Sequence, residues 1–194
     1  FNLIGSTLFL FALGSIYAET GTLNMADLAI RVTAISPDET VGIRVAAVRL
    51  VLVFGMKAAL VPLQFWLPSG SAEAPAPVAA LFAIMTKVGA YAIIRVYTMI
   101  FPPDLEATSG LFDLWLLPAA LLSLAIGMVG VLAAKRLDRL VAFSVIGSMG
   151  MVMISISLFT PEGIAASLYY IVHSTFAGAT LVLISDLVRT GRSD

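Results

Sequence analysis

Six apolar stretches, each long enough to cross a bilayer, divide this chain, and no other property limits its fold as strongly. A hydrocarbon core about 30 Å thick takes about 20 residues of helix per crossing. That ruler picks out roughly residues 1–18, 43–67, 76–99, 111–133, 138–159 and 163–188, bounded by polar or proline-containing links. Lipid offers backbone N–H and C=O groups no partner, so each stretch must satisfy them internally, as a helix. The expected fold class is all-α: a polytopic transmembrane helix bundle, read as one transmembrane domain over 1–194.

Composition agrees and removes several function classes. Hydrophobic residues make up 60% of the 194 and charged residues 12%, half the share of about a quarter found in soluble domains. A net charge of −1 leaves no basic surface to meet a phosphate backbone, so nucleic acid is excluded as a partner. The absence of cysteine removes disulfides, iron–sulfur ligation and Cys-type zinc sites. A mechanism without cofactor or metal is favoured, with the lipid bilayer as surroundings. The chain opens at Phe1 inside an apolar stretch, without an initiator methionine or a signal peptide's charged flank, and is expected to be an internal piece of a longer protein.

The longest link, 19–42, contains TLNMADLAIRVTAIS, where Asn24 is placed to cap a short surface helix with Met25, Leu28 and Ala29 on one face. Orientation follows from the basic residues of short loops. Lys135, Arg136 and Arg139 crowd one turn and Arg189 and Arg192 follow the last span, so these ends are expected on the cytoplasmic side. Parity then places the 19–42 link outside, where Arg31, Arg44 and Arg49 are only partly offset by Glu19, Asp27, Asp38 and Glu39.

Chemistry is expected where ionisable residues fall inside the spans. Lys57 lies 13 residues after Arg44, about 20 Å along a helix, and Lys87 ten after Pro77, about 15 Å. Both are too deep to reach water by extending the side chain, and a charge at the bilayer centre costs at least about 2.5 kcal/mol, so each should face a protein interior or a hydrated cavity. Near Lys87 at helical spacing stand Ala80, Ala83, Ala90 and Tyr91, which leave room for a helix or a file of water. His173 is about 16 Å from Glu162, with Tyr169, Tyr170, Ala177 and Thr180 on or near its face. Histidine exchanges protons near neutral pH and burial makes lysine release its proton more readily, so proton transfer is the chemistry these residues share.

Pro62 cannot donate to the carbonyl of Ala58, nor Pro68 to that of Gln64, so the second span is expected to break just after Lys57. Freed carbonyls, Gln64 and Trp66 would then hold water beside the amine, as broken helices do at ion sites. Pro62 and Pro68 are the candidate helix-breaking residues, and Gln64, Tyr91 and Tyr169 the candidate water-lining ones. Each has a plainer reading. A proline in a membrane helix is often a packing kink, and a single histidine often bonds a neighbouring helix. Ser123 with Gly127 and Ser144 with Ser148 read as close helix packing, Lys135, Arg136 and Arg139 as topology signals, and Asp186 with Arg189 as an interfacial pair. Glu73 is expected to be solvated in its turn.

The run KAALVPLQFWLPSGSAEAPAPVAALFAIMTKVGAYAIIRV, residues 57–96, resembles the core of the antiporter-like subunit family shared by respiratory complex I, membrane-bound hydrogenases and the Mrp-type multisubunit cation/proton antiporters. YAETGTLNMADLAIRV (17–32) and ASLYYIVHSTFAGATLVLISDLV (166–188) are similar to what is expected of the D subunit of the Mrp antiporters. The resemblance implies a fourteen-helix fold with two inverted five-helix repeats, of which this piece would supply the sixth to eleventh helices. It further implies that Lys57 matches a lysine on the broken seventh helix that pairs with a glutamate on the fifth, Lys87 a central lysine on the eighth, and His173 a histidine on the eleventh. That glutamate and the twelfth-helix lysine or glutamate lie outside the chain. By the resemblance Lys57, Lys87 and His173 would carry protons in a subunit of the cell inner membrane, exchanged for sodium or potassium, alongside other membrane subunits of the complex. A redox-driven pump in complex I or a hydrogenase, with the same lysines, is the alternative, and a non-transporting membrane scaffold a third.

Overall fold

In the computed structural model residues 2–35, 40–102, 105, 110 and 115–191 are described. Asp38, Glu39, Arg192, the side chain of Glu73 and residues 111–114 of the expected fourth span lie outside them. Eight helices and no strands occur among the described residues: α1 (Asn2–Thr20), α2 (Met25–Thr33), α3 (Val41–Lys57), α4 (Trp66–Glu73), α5 (Ala76–Met99), α6 (Leu116–Ala133), α7 (Leu137–Ser157) and α8 (Pro161–Thr190). The all-α expectation holds. Five helices, α1 and α5 to α8, are each long and apolar enough to cross a bilayer. The second expected span, 43–67, is corrected: it is two pieces, α3 and α4, separated by eight residues of turns.

Helix boundaries follow from local chemistry. Thr160 accepts from the N–H of Gly163 at 3.1 Å ahead of α8, with Pro161 and Glu162 in its first turn. Asn24 caps α2 through the N–H of Ala26 at 3.0 Å, and Leu28 and Val32 bury its inner face. Proline occupies one of the first three positions of four helices, as Pro68 in α4, Pro77 in α5, Pro118 in α6 and Pro161 in α8. N–H groups there have no intrahelical acceptor, so proline costs nothing. Pro68 therefore sits in the first turn of α4 instead of breaking a span, a correction to the sequence expectation.

Two of the basic residues in and after the 19–42 link are accounted for. Arg31 Nε donates to Asp27 at 3.0 Å and its Nη1 to the carbonyl of Thr20 at 2.9 Å, tying α2 to the end of α1. The Arg31 hydrogen bond holds the Asp27 carboxyl below its ordinary pKa. Arg49 is no loop charge, since from α3 it donates to Ser15 Oγ of α1 at 2.8 Å.

Packing is closest between α6 and α7. A Cβ on Gly150 would stand 2.5 Å from the backbone N of Leu124 and 3.0 Å from the carbonyl of Ala120, and one on Gly127 would strike the backbone of Gly147. Lipid is as apolar as a leucine side chain, so association gains little from burial and rests on such close backbone approach. The interior is filled by Ile93, Tyr97, Met149, Val152, Met153 and Ile156, and the Tyr97 hydroxyl donates to the carbonyl of Ala47 on α3 at 3.0 Å. The α4–α5 turn, the start of α7 and the end of α8 meet at one end of the bundle, where Ser71, Ala76, Asp138, Ser185 and Arg189 surround a small crevice.

Leucine at position 127 would force α6 and α7 apart. Gly127→Leu should lower the unfolding midpoint of the detergent-solubilised protein, by about 1–3 kcal/mol of overpacking or more. Gly14→Leu, where a Cβ meets nothing within 4 Å, should leave it unchanged; equal midpoints for the two variants would contradict the packing described.

Candidate functional site

The break after Lys57 is closed rather than frayed. Ala59 takes a left-handed conformation at φ 54°. The N–H of Leu60 donates to the carbonyl of Gly55 at 2.9 Å and that of Ala59 to Met56 at 3.2 Å, the two bonds of a Schellman cap. Ala58 N–H bonds Phe54 at 2.8 Å. From α4 the indole Nε1 of Trp66 donates to the same Met56 carbonyl at 2.9 Å, stapling the half-helices together. Ser123 of α6 accepts the N–H of Val61 at 2.9 Å while donating to Ala119.

The expectation of bare carbonyls is corrected for Gln64, and the carbonyls of the turn before Lys57 are taken as well. Phe54, Gly55 and Met56 all accept backbone N–H bonds, as does Gln64 from Leu67 at 3.1 Å. Hydrocarbon tolerates irregular backbone only when its polar groups are met by protein or water, and here protein meets the carbonyls of Phe54, Gly55, Met56, Leu60 and Gln64 and the amide of Val61. Trp66 serves the carbonyl and Ser123 the amide; the plain packing reading of Ser123 misses the second role.

Lys57 ends α3, half-buried. Against its backbone lies Gly89 of α5, where a Cβ would stand 2.7 Å from Ala58 N and 2.8 Å from Phe54 O. Only a residue without a side chain lets α5 cross the break this closely. The contact fixes α5 two residues past Lys87, whose side chain then turns into the bundle and is 4% exposed.

Lys87 and His173 share a recess of about 180 Å³ between α5, α7 and α8. Ser144, Ser148, Ser174 and Tyr170 also line it. The Tyr170 and His173 rings lie 6.1 Å apart between centroids. Ser148 Oγ is buried without a hydrogen-bond partner among the described residues. A buried hydroxyl in that position is normally satisfied by water, and the recess has room for several. The packing reading of Ser144 and Ser148 is incomplete for this reason.

Other expected site residues lie elsewhere. Lys57 is not among the residues lining this recess. Gln64 is 5% exposed with Oε1 unpartnered among the described residues. Pro62 faces a separate apolar recess with Leu60, Trp115 and Leu116. Tyr91 and Tyr169 sit on outer faces, 49% and 79% exposed; Tyr170 is the tyrosine beside His173.

One turn from Lys87 the recess narrows. Gly178 of α8 approaches Ala83 of α5 and Val145 of α7, each 3.9 Å from where its Cβ would stand. Beyond this neck is the small crevice at the end of the bundle, lined by Ala83 and Val145 and carrying Asp138, Asp186 and Arg189. Asp186 and Arg189 approach to 3.6 Å, as their spacing predicts.

A discontinuous helix and five further membrane-length helices, with a lysine buried among hydroxyls and a histidine in the same recess, define a polytopic membrane protein. The chain belongs to the family described as NADH:quinone oxidoreductase/Mrp antiporter, TM, whose model matches residues 1–194. It is 39% identical to the D subunit of a probable K(+)/H(+) antiporter of Rhizobium meliloti, across 98% of this chain and 35% of that protein. It is 40% identical to the D subunit of the Na(+)/H(+) antiporter of Bacillus subtilis, across 97% of this chain and 37% of that one. Its fold is similar to a chain of the Mrp complex from Dietzia sp. DQ12-45-1b, with TM-score 0.82 and 28% identity over 95% of this chain and 33% of that one. A chain of the membrane-bound sulfane sulfur reductase, an archaeal respiratory complex, gives 0.84 and 30% over 93% and 36%. The chain thus spans about a third of the length of these relatives.

Trp66→Phe removes the donor of the staple and keeps an aromatic side chain. Stability should fall by about 1 kcal/mol, with faster amide hydrogen exchange confined to 56–67. Exchange there equal to the parent's would show that the cap alone holds the break.

Proposed function

We propose that this chain is the central part of a proton-translocating component of a multisubunit monovalent cation/proton antiporter in the cell inner membrane. The observation that carries this is the recess in which Lys87, nearly excluded from the surface, faces His173 across a space edged by serine hydroxyls. An ammonium held in hydrocarbon needs hydration or polar partners, and a small hydrated space supplies both at lower cost than a dry core. The antiporter names of the two relatives support the same reading, and with it a transporter component in place of a catalytic enzyme, other membrane subunits as partners, and sodium or potassium as the exchanged ion.

In this mechanism Lys87 gives up and regains a proton through water in the recess, with His173 as the next exchanging group. Lys57, at the end of the capped half-helix, responds to an ion-pair partner outside this chain, and its backbone contact at Gly89 couples that response to α5. Protons reach Lys87 from the end of the bundle carrying Asp138 and Asp186, through the neck of Ala83, Val145 and Gly178. Small apolar side chains there pass a thin file of water when the helices part and close it when they return.

The likeness to the sulfane sulfur reductase complex supports a second reading, a proton pump powered by a redox reaction. Vesicles separate the two. Flux driven by a sodium or potassium gradient belongs to the antiporter, and flux requiring turnover of redox partner subunits to the pump.

Lys87→Ala and Lys87→Arg should each lower cation-coupled proton flux in vesicles by about a hundredfold, with assembly of the complex retained. Arginine keeps the charge and cannot release its proton, so full flux in Lys87→Arg would exclude proton exchange at this position. Gly178→Leu should block the neck and abolish flux with Lys87 and His173 intact; parental flux would place the route elsewhere.

A further inference from the structure

A second recess, largely apolar in its walls and rimmed by basic residues, lies outside the bundle. It occupies about 230 Å³ where α6 turns into α7, with Gly130, Ala133 and Phe143 as its apolar wall and Lys135, Arg136 and Arg139 around it. A Cβ on Gly130 would run into the Phe143 ring, so the bare backbone there lets the ring lie against α6 and form the floor. Arg136 is committed to Asp138, its Nε donating to Oδ1 at 3.2 Å. Asp138 also accepts the backbone N–H of Arg139 at 2.8 Å. Lys135 and Arg139 are exposed along this edge, and one carboxylate against three cations leaves the recess positive.

A topology signal explains basic residues in such a turn, but not a walled recess among them. We propose that this recess binds an anionic phospholipid, its phosphodiester held by Lys135 and Arg139 and its acyl chains lying along α6. Charge complementarity supplies the first half of the argument. A membrane-surface pocket with uncompensated lysine and arginine matches an anionic headgroup. The apolar flank supplies the second half. One turn along α6 from Gly130 and Ala133, Ile126 is 37% and Val129 64% exposed, a surface that suits acyl chains and that free phosphate would leave bare. Arg136, bound to Asp138, shapes the rim while its neighbours carry the charge.

The test uses the whole multisubunit complex in vesicles, with Val129→Trp as a reporter one turn from Ala133. Its fluorescence is read as the difference from the complex lacking that substitution. Brominated phosphatidylglycerol in a phosphatidylcholine vesicle should quench it several-fold more than brominated phosphatidylcholine at the same mole fraction. Lys135→Gln with Arg139→Gln should remove the preference. Ala133→Leu fills the recess with every charge in place, and so leaves the topology signal intact even if the double variant fails to insert. It should remove the preference too. Equal quenching by both lipids, or a preference that survives Ala133→Leu, would overturn the proposal, the latter leaving only diffuse attraction to a charged surface. Loss of the preference on adding inorganic phosphate at constant ionic strength would also overturn it, in favour of an ion site. Proton flux is not part of the readout, so this result and the antiporter reading stand or fall separately.

Discussion

At the one interruption among the described spans the backbone around Lys57 has to find partners outside a helical ladder, and that need for partners organises the rest. Continuous helices meet it by their own hydrogen bonds. Between α3 and α4 the chain has to replace those bonds, and it does so locally, with the left-handed Ala59 and the paired bonds of Leu60 and Ala59, then with Trp66 and Ser123 from either side. A closed break is a rigid one. It presents a fixed peptide surface at Lys57 and Ala58 on which Gly89 of α5 rests, and that seat sets the rotation of α5 and so the direction in which Lys87 points.

Two kinds of helix contact then divide the labour. α6 and α7 meet backbone to backbone through Gly127, Gly147 and Gly150 and leave no room for anything between them. α5, α7 and α8 also meet through small residues, Ala83, Gly178 and Ser148, but here the small side chains leave space, and Lys87 and His173 face it. Small residues promote contact where the backbones converge and hydration where they are held apart. The membrane makes both outcomes consequential, because a void edged by hydroxyls beside an ammonium is far more comfortable wet than dry.

Much of this is legible in the chain itself, and the misreadings are instructive. Lys57, Lys87 and His173 stand out because charge in the middle of an apolar span has few uses. Pro62 signals the interruption correctly, since the helix ends before it. Pro68 does not, because proline is excluded from a helix interior yet welcome in its first turn, and only knowing where α4 begins tells the two apart. Ser144 and Ser148 look like any small-residue stripe until α7 is seated beside α5 and α8. Arg49 resembles a loop charge; the partner that draws it inward, Ser15, is 34 residues away in sequence.

The order of residues alone sets the helical class, where most spans begin and end to within a few residues, the site of the break, and which ionisable groups lie at depth. These follow from the length of apolar runs against the thickness of a bilayer and from the backbone's need for partners. Which of those groups share a space is settled only when the helices pack. A span apolar on every side carries no periodic stripe to say which face turns inward, so rotation about the helix axis is fixed by contacts such as Gly89 on Ala58. That rotation brings Lys87 and His173 to one recess and turns Tyr91 and Tyr169 away from it.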